Sequence, residues 1–456
     1  MKISIIGTGY VGLVSGACFA EKGHEVICVD VDETKVKSIN TGIPPIHEKG
    51  LEELLKKHSG KNLIATQDLS QAVRNTNISI IAVGTPFDGE FIDLSFIKAA
   101  AKQIGKAISS LNRWHSVIVK STVVPGTTSN IVLPEIENAS QKKAGQDFGV
   151  GMNPEFLKEG EAINDFMHPD RIILGGINKK TQKDLEELYA CFPMVDKIFT
   201  DCNTAEMIKY AANSLLATLI SFSNEIGNLC AQTPGVDVKK VMRGVHLDKR
   251  FMPQNDDGTK VKPGMINYLD AGCGFGGSCF PKDVKALVAH GARDGLDMSV
   301  LRAVLDVNSK QPFKMIDLLE KHVEDMSTST IAVLGLAFKP GTDDIRESPS
   351  LPVLRELLNK GTTIKAFDPV ASTEVQKIFP QENITYTANL SDAISEVDGV
   401  LLMTRWEQFK ELPQIINDIN PNAVLIDGRR MLDVSSVNNY DGIGIGELYS
   451  DSKKLG

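Results

Sequence analysis

The sequence lacks most features that mark secreted, membrane-bound and nucleic-acid-binding proteins. It has no apolar run long enough to span a bilayer. Its first residues, MKISIIGTGYVG, break at Gly7 instead of forming the apolar core of a signal peptide. The formal net charge of −9 excludes an extended basic face for a nucleic-acid backbone. We therefore expect a cytoplasmic protein that binds neither nucleic acid nor membrane.

Cysteine pairs and metal-binding clusters are also missing. The seven cysteines are odd in number and scattered through apolar or helical segments, which indicates reduced thiols and no disulfide framework. No His lies near Cys279 in the sequence, and Cys273 with Cys279 lacks the further ligands of a zinc site, so we expect no metal. The 456 residues, 42% of them apolar and 23% charged, indicate a globular chain of two or three domains.

The first 30 residues have the pattern of a dinucleotide site. The strand KISII leads into G-x-G-x-x-G, a helical segment follows, and the strand HEVICVD ends at Asp30. Gly7 allows the tight turn, Gly9 the close approach of a pyrophosphate, and Gly12 the packing of helix on strand. A carboxylate at Asp30 favours the ribose hydroxyls of NAD and repels the 2′-phosphate of NADP. The alternative is a glycine-rich turn of some other α/β protein.

More apolar runs alternate with helical segments, which is typical of a parallel sheet covered on both faces. Ligands of such sheets lie beyond the carboxyl ends of the strands. The residues that follow predicted strands there are Thr85, Ser121, Thr122, Asn153 and Glu155. Thr122 could equally be a helix N-cap.

The middle of the chain is predicted to be helical, and its last third repeats the order of the first. Residues 204–232 have helical spacing without proline, and Lys209 and Asn213, four residues apart, share one face. A second α/β unit opens at STIAVLGLAFKPG without the glycine motif, and Asp368 closes one of its strands as Asp30 does. Cationic side chains after its strands would suit phosphates on a substrate; these are Lys339, Arg346, Arg405, Arg429 and Arg430. The alternative for each is an ordinary solvated charge, which is the favoured interpretation for Arg405.

Cys279 lies in GFGGSCFPKD, just before a predicted helix with proline in its first turn. A helix N-terminus favours the thiolate, and Lys282 adds positive charge. Gly276 and Gly277 are expected to leave room for a ligand. Beside an NAD site, such a cysteine can capture an aldehyde as a thiohemiacetal, whose oxidation gives a thioester that water cleaves to an acid.

Six motifs occur in an order that resembles the UDP-glucose/GDP-mannose dehydrogenase family: GTGYVG, STVVPGT, NPEFLKEG, the helix around Lys209, GFGGSCFPKD and FKPGTDDIRESPS. The resemblance implies an α/β fold with two Rossmann-like doubly wound domains joined by a long central helix. It places an NAD-binding domain at 1–200, a helical dimerisation segment carrying the cysteine loop at 201–325, and a nucleotide-sugar domain at 326–456. It also implies a homodimer that oxidises a sugar C6 alcohol to a carboxylate with two NAD+ consumed.

The same resemblance assigns roles to individual residues. Cys279 would be the nucleophile, Lys209 would stabilise oxyanions, Asp283 and Thr122 would position water or move protons, and Glu159 would assist thioester hydrolysis. Asn213 is also among the expected catalytic residues. NAD would contact Gly7, Gly9, Tyr10, Val11, Gly12, Asp30, Lys35, Thr85, Ser121, Thr122, Glu159 and Arg346. The substrate would contact Glu155, Phe156, Leu157, Lys158, Lys209, Asn213, Arg250, Tyr268, Leu269, Gly274, Lys339 and Arg429.

One departure concerns the segment between Arg250 and Cys279, which is longer than the family's usual linker. Arg250 therefore need not be the arginine that the family sends across the dimer to the substrate. UDP-glucose is the favoured substrate, and GDP-mannose or another nucleotide sugar is the alternative. Two other classes of protein stay open: a two-electron dehydrogenase in which Cys279 only packs, and an NAD-binding regulatory protein without turnover.

Overall fold

The structure is a computed structural model that describes residues 1–380 and 383–447. The chain folds into two compact units, which divide between Ala212 and Asn213. No helix within the described residues is long and apolar enough to cross a membrane.

The first unit is a sheet with helices on both faces. Its strands are β1 (Lys2–Ile6), β2 (Glu25–Val29), β3 (Leu63–Thr66), β4 (Ile78–Ile81), β5 (Ser116–Val119), β6 (Gly149–Met152), β7 (Ile172–Gly176) and β8 (Lys197–Thr200). Its helices are α1 (Tyr10–Glu21), α2 (Glu33–Asn40), α3 (Leu51–His58), α4 (Leu69–Asn75), α5 (Ser95–Ser109), α6 (Leu133–Ser140), α7 (Ala162–Met167) and α8 (Lys179–Leu188). Helix α9 (Cys202–Ala231) begins in this unit, and a π-helical turn, Thr128–Val132, precedes α6.

The strand order of this sheet is β3-β2-β1-β4-β5-β6-β7-β8. All four residues of β4 and of β5 are buried, which explains why both strands are apolar except for Ser79 and Ser116. Helices α1, α3 and α7 pack together, and α4, α5 and α6 form a second packed group. The order reverses between β1 and β4, the switch point where sheets of this kind bind ligands.

The prediction of a parallel sheet is wrong at one junction, because β6 and β7 are antiparallel. The connection between them contains only the six-residue helix α7. A parallel return needs a crossover that carries the chain back along the sheet. Strand β7 therefore starts at the edge where β6 ends.

The second unit repeats this architecture on a smaller scale. Its strands are β9 (Thr330–Leu334), β10 (Thr363–Phe367), β11 (Ile384–Tyr386), β12 (Gly399–Leu402), β13 (Val424–Asp427) and β14 (Tyr440–Gly442). Its helices are α10 (Val238–His246), α11 (Phe280–Arg293), α12 (Ser299–Lys310), α13 (Lys314–Leu319), α14 (Ser350–Asn359), α15 (Ser372–Ile378), α16 (Leu390–Ile394) and α17 (Leu412–Ile419). Short 3₁₀ turns cover Gly264–Tyr268, Gln311–Phe313, Glu407–Glu411 and Val434–Ser436.

The order of the second sheet is β11-β10-β9-β12-β13-β14, and every strand pair in it is parallel. This is the order of the first six strands of the first sheet. The predicted fold class, two Rossmann-like units with a long helix in the middle of the chain, is confirmed. The long helix is α9, two residues from the predicted start and one from the predicted end.

Candidate functional site

The glycine motif forms the turn between β1 and α1. Gly7 has φ +100°, and a Cβ at Gly12 would lie 1.9 Å from the Gly7 carbonyl oxygen, so the turn and the helix contact both need glycine. Gly9 precedes the first residue of α1, and a Cβ built there meets no atom within 4 Å. The backbone is open to a ligand at this point, and the unpaired N–H groups of a helix N-terminus suit a pyrophosphate.

The Asp30 carboxylate faces this turn. Its Oδ2 accepts hydrogen bonds from the Thr8 N–H (2.9 Å) and the Thr8 hydroxyl (2.5 Å), and its Oδ1 accepts one from the Asp32 N–H (3.0 Å). Burial alone would raise the pKa of Asp30, but these hydrogen bonds and the charge of Lys35 hold that pKa below its usual value. Asp30 is therefore an ionised acceptor at the end of β2, which fits the ribose of a dinucleotide.

The residues after β4 and β5 lie side by side. The Thr85 hydroxyl donates to the Thr122 carbonyl oxygen at 2.8 Å, and the Ser121 hydroxyl donates to the Val83 carbonyl oxygen at 2.7 Å. Thr122 caps no helix, since the next helical turn begins at Thr128. The structure thus brings Thr85, Ser121 and Thr122 together at the carboxyl edge of the sheet.

Tyr10 is tied to the segment that follows β6. Its hydroxyl hydrogen-bonds to Glu48, and it accepts from the Gly160 N–H at 3.0 Å. Glu48 itself accepts from the N–H groups of Gly160 (2.7 Å) and Ala162 (2.9 Å). Burial and the Glu48 carboxylate raise the pKa of Tyr10, so its hydroxyl stays protonated. Glu48, which the sequence analysis missed, therefore fixes the backbone next to the half-buried Glu159.

Lys209 and Glu155 form a buried ion pair. Lys209 Nζ lies 3.1 Å from Glu155 Oε1, and the exposed fractions of the two residues are 3% and 6%. Burial would raise the pKa of Glu155, but the charge of Lys209, the Leu157 N–H and the charge of Lys120 outweigh it and lower that pKa. The Phe156 ring lies between two cations, with Arg171 at 4.0 Å and Lys209 at 5.2 Å from its centroid.

Lys158 faces outward. It is exposed, and its Nζ lies 3.1 Å from Glu161 Oε2 and 3.2 Å from Asp165 Oδ1. Its backbone N–H also donates to Asp165. Hydrogen bonds to Glu155 and Asp165 thus fix the backbone at Leu157 and Lys158. The predicted substrate contacts of the segment from Phe156 to Lys158 stay predictions.

Glu206, another residue that the sequence analysis missed, lies one turn before Lys209. Its carboxylate accepts from the N–H groups of Gly126 (2.6 Å) and Thr128 (2.8 Å), and it is fully buried. Burial raises its pKa to about 7. Glu206 thereby anchors the STVVPGT turn, which carries Ser121 and Thr122, to helix α9.

In the second unit, Cys279 directly precedes helix α11, which has Pro281 in its first turn. This confirms the predicted helix start. The thiol is half-buried, and its Sγ lies 3.5 Å from the Ser278 hydroxyl oxygen. The Cys279 carbonyl accepts the first intrahelical hydrogen bond, from the Asp283 N–H, at 2.8 Å.

Asp283 and Asn213, both predicted site residues, are in contact. Asp283 is 1% exposed and accepts from the Asn213 amide at 2.6 Å. Its other oxygen pairs with Lys282 Nζ at 2.6 Å. Lys282 is therefore paired with Asp283, and its predicted effect on the thiol stays a prediction.

The glycines before Cys279 leave room for protein, not for a ligand as the sequence suggested. A Cβ at Gly276 would lie 2.2 Å from the Glu347 carbonyl oxygen. The Gly277 N–H donates to the Arg346 carbonyl at 2.8 Å. The cysteine loop is therefore packed against the 335–349 loop, which carries Lys339 and Arg346. The exposed Arg346 side chain itself pairs with Asp344 at 2.8 Å.

The cationic side chains after the second sheet have different surroundings. Arg429 donates to the carbonyls of Gly274 (3.2 Å) and Met403 (2.6 Å), which brings two predicted substrate residues together. Arg405 donates to the Arg429 carbonyl at 2.6 Å. Arg430 is buried and pairs with Asp237 at 3.0 Å, so its prediction as part of a phosphate-binding rim is wrong.

The loop between Arg250 and Cys279 is exposed in its first half and buried from residue 271 to residue 277. Arg250 pairs with Asp248 at 2.6 Å on the surface. Residues 253–262 are all exposed, and within them Gln254 and Lys260 form an isolated antiparallel backbone bridge. Tyr268 packs its ring against Phe280, 6.1 Å between centroids, and Leu269 is buried. The predicted roles of Arg250 and of this loop stay predictions.

Asp368 occupies the position in the second sheet that Asp30 has in the first. Its oxygens accept from the N–H groups of Leu336, Ala337, Val370 and Ala371 and from the Trp406 indole. The loop from β9 to α14 is also long where the first unit has a tight turn. Asp368 thus stabilises that loop, and the predicted loss of dinucleotide binding stays a prediction. The described residues contain no group of three or more acidic, His or Cys side chains placed to hold a metal.

Comparison with known proteins identifies the family. Residues 1–193 match the NAD binding domain of the UDP-glucose/GDP-mannose dehydrogenase family, residues 203–310 its central domain and residues 332–434 its UDP binding domain. The chain is 41% identical to the UDP-glucose 6-dehydrogenase AglM of Haloferax volcanii, over 95% of this chain and 97% of that protein. It is also 41% identical to the UDP-glucose 6-dehydrogenase TuaD of Bacillus subtilis, over 96% and 90%.

Solved structures agree with these sequence relatives. A UDP-glucose dehydrogenase from Pyrobaculum islandicum superposes with a TM-score of 0.87 at 37% identity, covering 97% of each chain. A UDP-D-ManNAc dehydrogenase from Pyrococcus horikoshii gives a TM-score of 0.84 at 28% identity, over 97% of this chain and 99% of that one. The chain belongs to the UDP-glucose/GDP-mannose dehydrogenase family and is an oxidoreductase with NAD as its cofactor.

Proposed function

We propose that this enzyme oxidises the C6 alcohol of UDP-glucose to the carboxylate of UDP-glucuronate in two steps. The identity to UDP-glucose 6-dehydrogenases supports the choice of sugar. The observation that carries the mechanism is the position of Cys279 before helix α11, with Asp283 held by Asn213 one turn into that helix. A thiol at a helix N-terminus is favoured as thiolate, and a thiolate is the nucleophile that an aldehyde-to-acid oxidation needs.

The bound cofactor supplies the oxidising power, since NAD+ accepts one hydride in each oxidation. Residues of the first unit would hold it: the N–H groups at Gly9 and the first turn of α1 for the pyrophosphate, and Asp30 for the ribose. The open space at Gly9 and the ionised acceptor at Asp30 fit that group. Lys209 would favour the alkoxide that forms when the C6 hydroxyl loses its proton.

Cys279 would then act on the aldehyde. Its Sγ forms a bond to the C6 carbon, and the former carbonyl oxygen becomes the hydroxyl of a thiohemiacetal. Loss of a hydride and a proton converts this adduct into a thioester. Water breaks the C–S bond, releases the carboxylate and returns the thiol. Glu159 would assist this hydrolysis, and Asp283 with Thr122 would position the water or move protons. One sugar alcohol, two NAD+ and one water thus give one carboxylate, two NADH and three protons.

We also propose that the enzyme is a homodimer. It would work in a reducing compartment, the cytoplasm, because the Cys279 thiol must stay reduced. Helix α9 supports the dimer. Leu215, Phe222 and Leu229 are 58%, 49% and 64% exposed. Thr218 and Glu225 lie between them on the same face of the helix, so the five positions are spaced alternately by three and four residues. An exposed apolar seam with this spacing is typical of a helix that packs on another helix.

The deciding experiment is a panel of nucleotide sugars assayed for NADH release. UDP-glucose, GDP-mannose, UDP-N-acetylmannosamine and UDP-galactose would each be supplied in limiting amount with excess NAD+. We expect two NADH per UDP-glucose and much lower kcat/KM with the others. Two NADH per GDP-mannose as the best substrate would move the assignment to that sugar, and one NADH per sugar would replace it with a two-electron dehydrogenase.

A further inference from the structure

Lys120 is a buried cation that no predicted role accounts for. It directly follows β5 and precedes Ser121, and it is 4% exposed. Its ammonium donates to two neutral oxygens, Asn153 Oδ1 at 3.0 Å and Tyr189 OH at 3.3 Å. A buried ammonium with neutral partners is costly, and such groups are found where function requires them.

Lys120 belongs to a charged cluster with Glu155 and Lys209, here called the buried triad. The charges of both other members act on Lys120, and those of both lysines act on Glu155. Since all three side chains are almost completely buried, two ammoniums and one carboxylate leave the triad with one net positive charge. Burial, followed by the repulsion from Lys209, lowers the pKa of Lys120 to about 8, although the Glu155 charge opposes this.

A purely structural role explains Lys120 poorly. The obvious structural task is to hold Asn153, the residue that opens the NPEFLKEG segment. Tyr189 already donates to the same Asn153 oxygen at 2.5 Å, and the Asn153 amide donates to the Ile173 carbonyl at 2.8 Å. The orientation of Asn153 is therefore fixed without the positive charge.

The charge has an evident electrostatic task instead. The proposed function requires Lys209 to favour an oxyanion, yet the Glu155 carboxylate lies 3.1 Å from Lys209 and cancels most of its charge. A second ammonium in the same low-dielectric region restores a net positive potential and helps Glu155 to stay ionised.

We propose that Lys120 is a positioning residue of the reaction, whose charge keeps Glu155 ionised and the buried triad positive beside the reacting oxygen. This inference rests on the proposed function, because that function supplies the oxyanion. A small cavity borders Lys120 and Glu155. The other titratable groups on its wall, besides Tyr189, are Lys158, Asp165, His168, Asp170 and Arg171.

The test compares Lys120→Met, Lys120→Arg and Tyr189→Phe. Lys120→Met keeps the length of the side chain and removes its charge, Lys120→Arg keeps the charge, and Tyr189→Phe removes the neighbouring hydroxyl only. Each variant is measured for kcat and KM across pH with UDP-glucose and NAD+, and for its thermal midpoint at pH 7.

We expect Lys120→Met to lower kcat by on the order of tenfold or more, with little change in KM for NAD+. The acid limb of its pH profile of kcat/KM should move to higher pH. The reason is that Glu155 has lost one of the two neighbouring cations that lower its pKa. Lys120→Arg and Tyr189→Phe should keep the limb of the parent enzyme. The midpoint of Lys120→Met should equal or exceed that of the parent, since a buried charge with neutral partners has been removed.

Three results would overturn the proposal: an unmoved acid limb in Lys120→Met, an equal loss of kcat in Lys120→Arg, or a Lys120→Met protein that unfolds earlier or does not fold. The thermal comparison needs no substrate. It therefore stands even if the parent enzyme fails to oxidise UDP-glucose, a failure that the sugar panel alone would reveal.

Discussion

The amide of Asn213 donates a 2.6 Å hydrogen bond to the carboxylate of Asp283, and both side chains are buried. Asn213 lies in helix α9, and Asp283 lies in the first turn of the helix that Cys279 precedes. Seventy residues separate them in the chain. This bond fixes the carboxylate next to the proposed nucleophile, so the chemistry of Cys279 is the first property to test.

Replacing Cys279 with Ser should abolish acid formation. A hydroxyl is scarcely ionised near neutral pH, and its ester hydrolyses less readily than a thioester. We expect kcat for two-NADH turnover to collapse while NAD+ and UDP-glucose still bind, as measured by calorimetry and NADH stoichiometry. Cys273→Ala, in the same loop but fully buried, should still give two NADH per sugar. If the Cys279→Ser enzyme turned over at the parent rate, Cys279 would not be the nucleophile.

Replacing Lys209 with Ala should affect both rate and stability. Loss of a preorganised cation beside an oxyanion typically costs 100-fold or more in kcat, on the order of 3 kcal/mol. Glu155 would also lose its closest countercharge, and breaking one side of a buried ion pair costs about 3–5 kcal/mol of unfolding free energy. Steady-state kinetics and urea unfolding measure the two effects.

Lys158→Ala is the matched control for Lys209, because Lys158 is an exposed lysine on the adjacent segment that pairs with the exposed Glu161 and the partly buried Asp165. Its unfolding free energy should change by less than about 1 kcal/mol. Near-parental kcat in Lys209→Ala would remove Lys209 from the proposed mechanism.

Replacing Asp30 with Ala should relax the preference for NAD+ over NADP+. The ionised carboxylate accepts from ribose hydroxyls and repels a 2′-phosphate, so its loss should lower kcat/KM for NAD+ and raise it for NADP+. Asp68, which caps α4 after the neighbouring strand, provides the control, and Asp68→Ala should leave the ratio unchanged. A parent enzyme that used both cofactors equally well would contradict the assignment of Asp30.

Glu206 should make stability fall as the pH rises from 4.5 to about 7. Burial raises its pKa from 4.5 to about 7, so between these values the folded state binds a proton that the unfolded state has lost. The unfolding free energy contributed by Glu206 therefore decreases with pH by about 1.4 kcal/mol per unit over that window. Urea unfolding of the parent and of Glu206→Gln at pH 5, 6 and 7 measures the difference. A constant difference between the two proteins would show that Glu206 ionises normally.

The exposed seam of α9 should determine the oligomeric state. Phe222→Glu places a charge in the middle of the seam and should shift the protein to a monomer in sedimentation velocity. Val434→Glu, at a 47% exposed apolar residue elsewhere in the second unit, should leave the parent mass unchanged. If Phe222→Glu sedimented like the parent, the dimer would have to use another surface.

The features that were predictable from the sequence are local ones. GTGYVG, the start of α11 at Cys279 and the long helix α9 each depend on residues within a few turns of one another. Buried parallel strands are also visible locally as apolar runs, which explains why both sheets were anticipated. The direction of β7 was not, because it depends on the path of the whole preceding connection.

The residues that the sequence analysis missed act over long distances. Glu48 contacts Gly160 across 112 residues and lies in a segment without a motif. Lys120 looks like the polar end of a strand, and its burial follows only from the positions of Asn153 and Tyr189. Arg430 was misjudged for the same reason, because its partner Asp237 lies 193 residues away.

The five hydrogen bonds accepted by Asp368 have a consequence for protein engineering. Restoring glycines to the 335–338 turn would not convert the second unit into a second cofactor domain, because the carboxylate that should receive the ribose is already saturated. Removing Asp368 would leave four backbone N–H groups and one indole N–H without their acceptor. The loop would then be destabilised, and no ligand site would form in it.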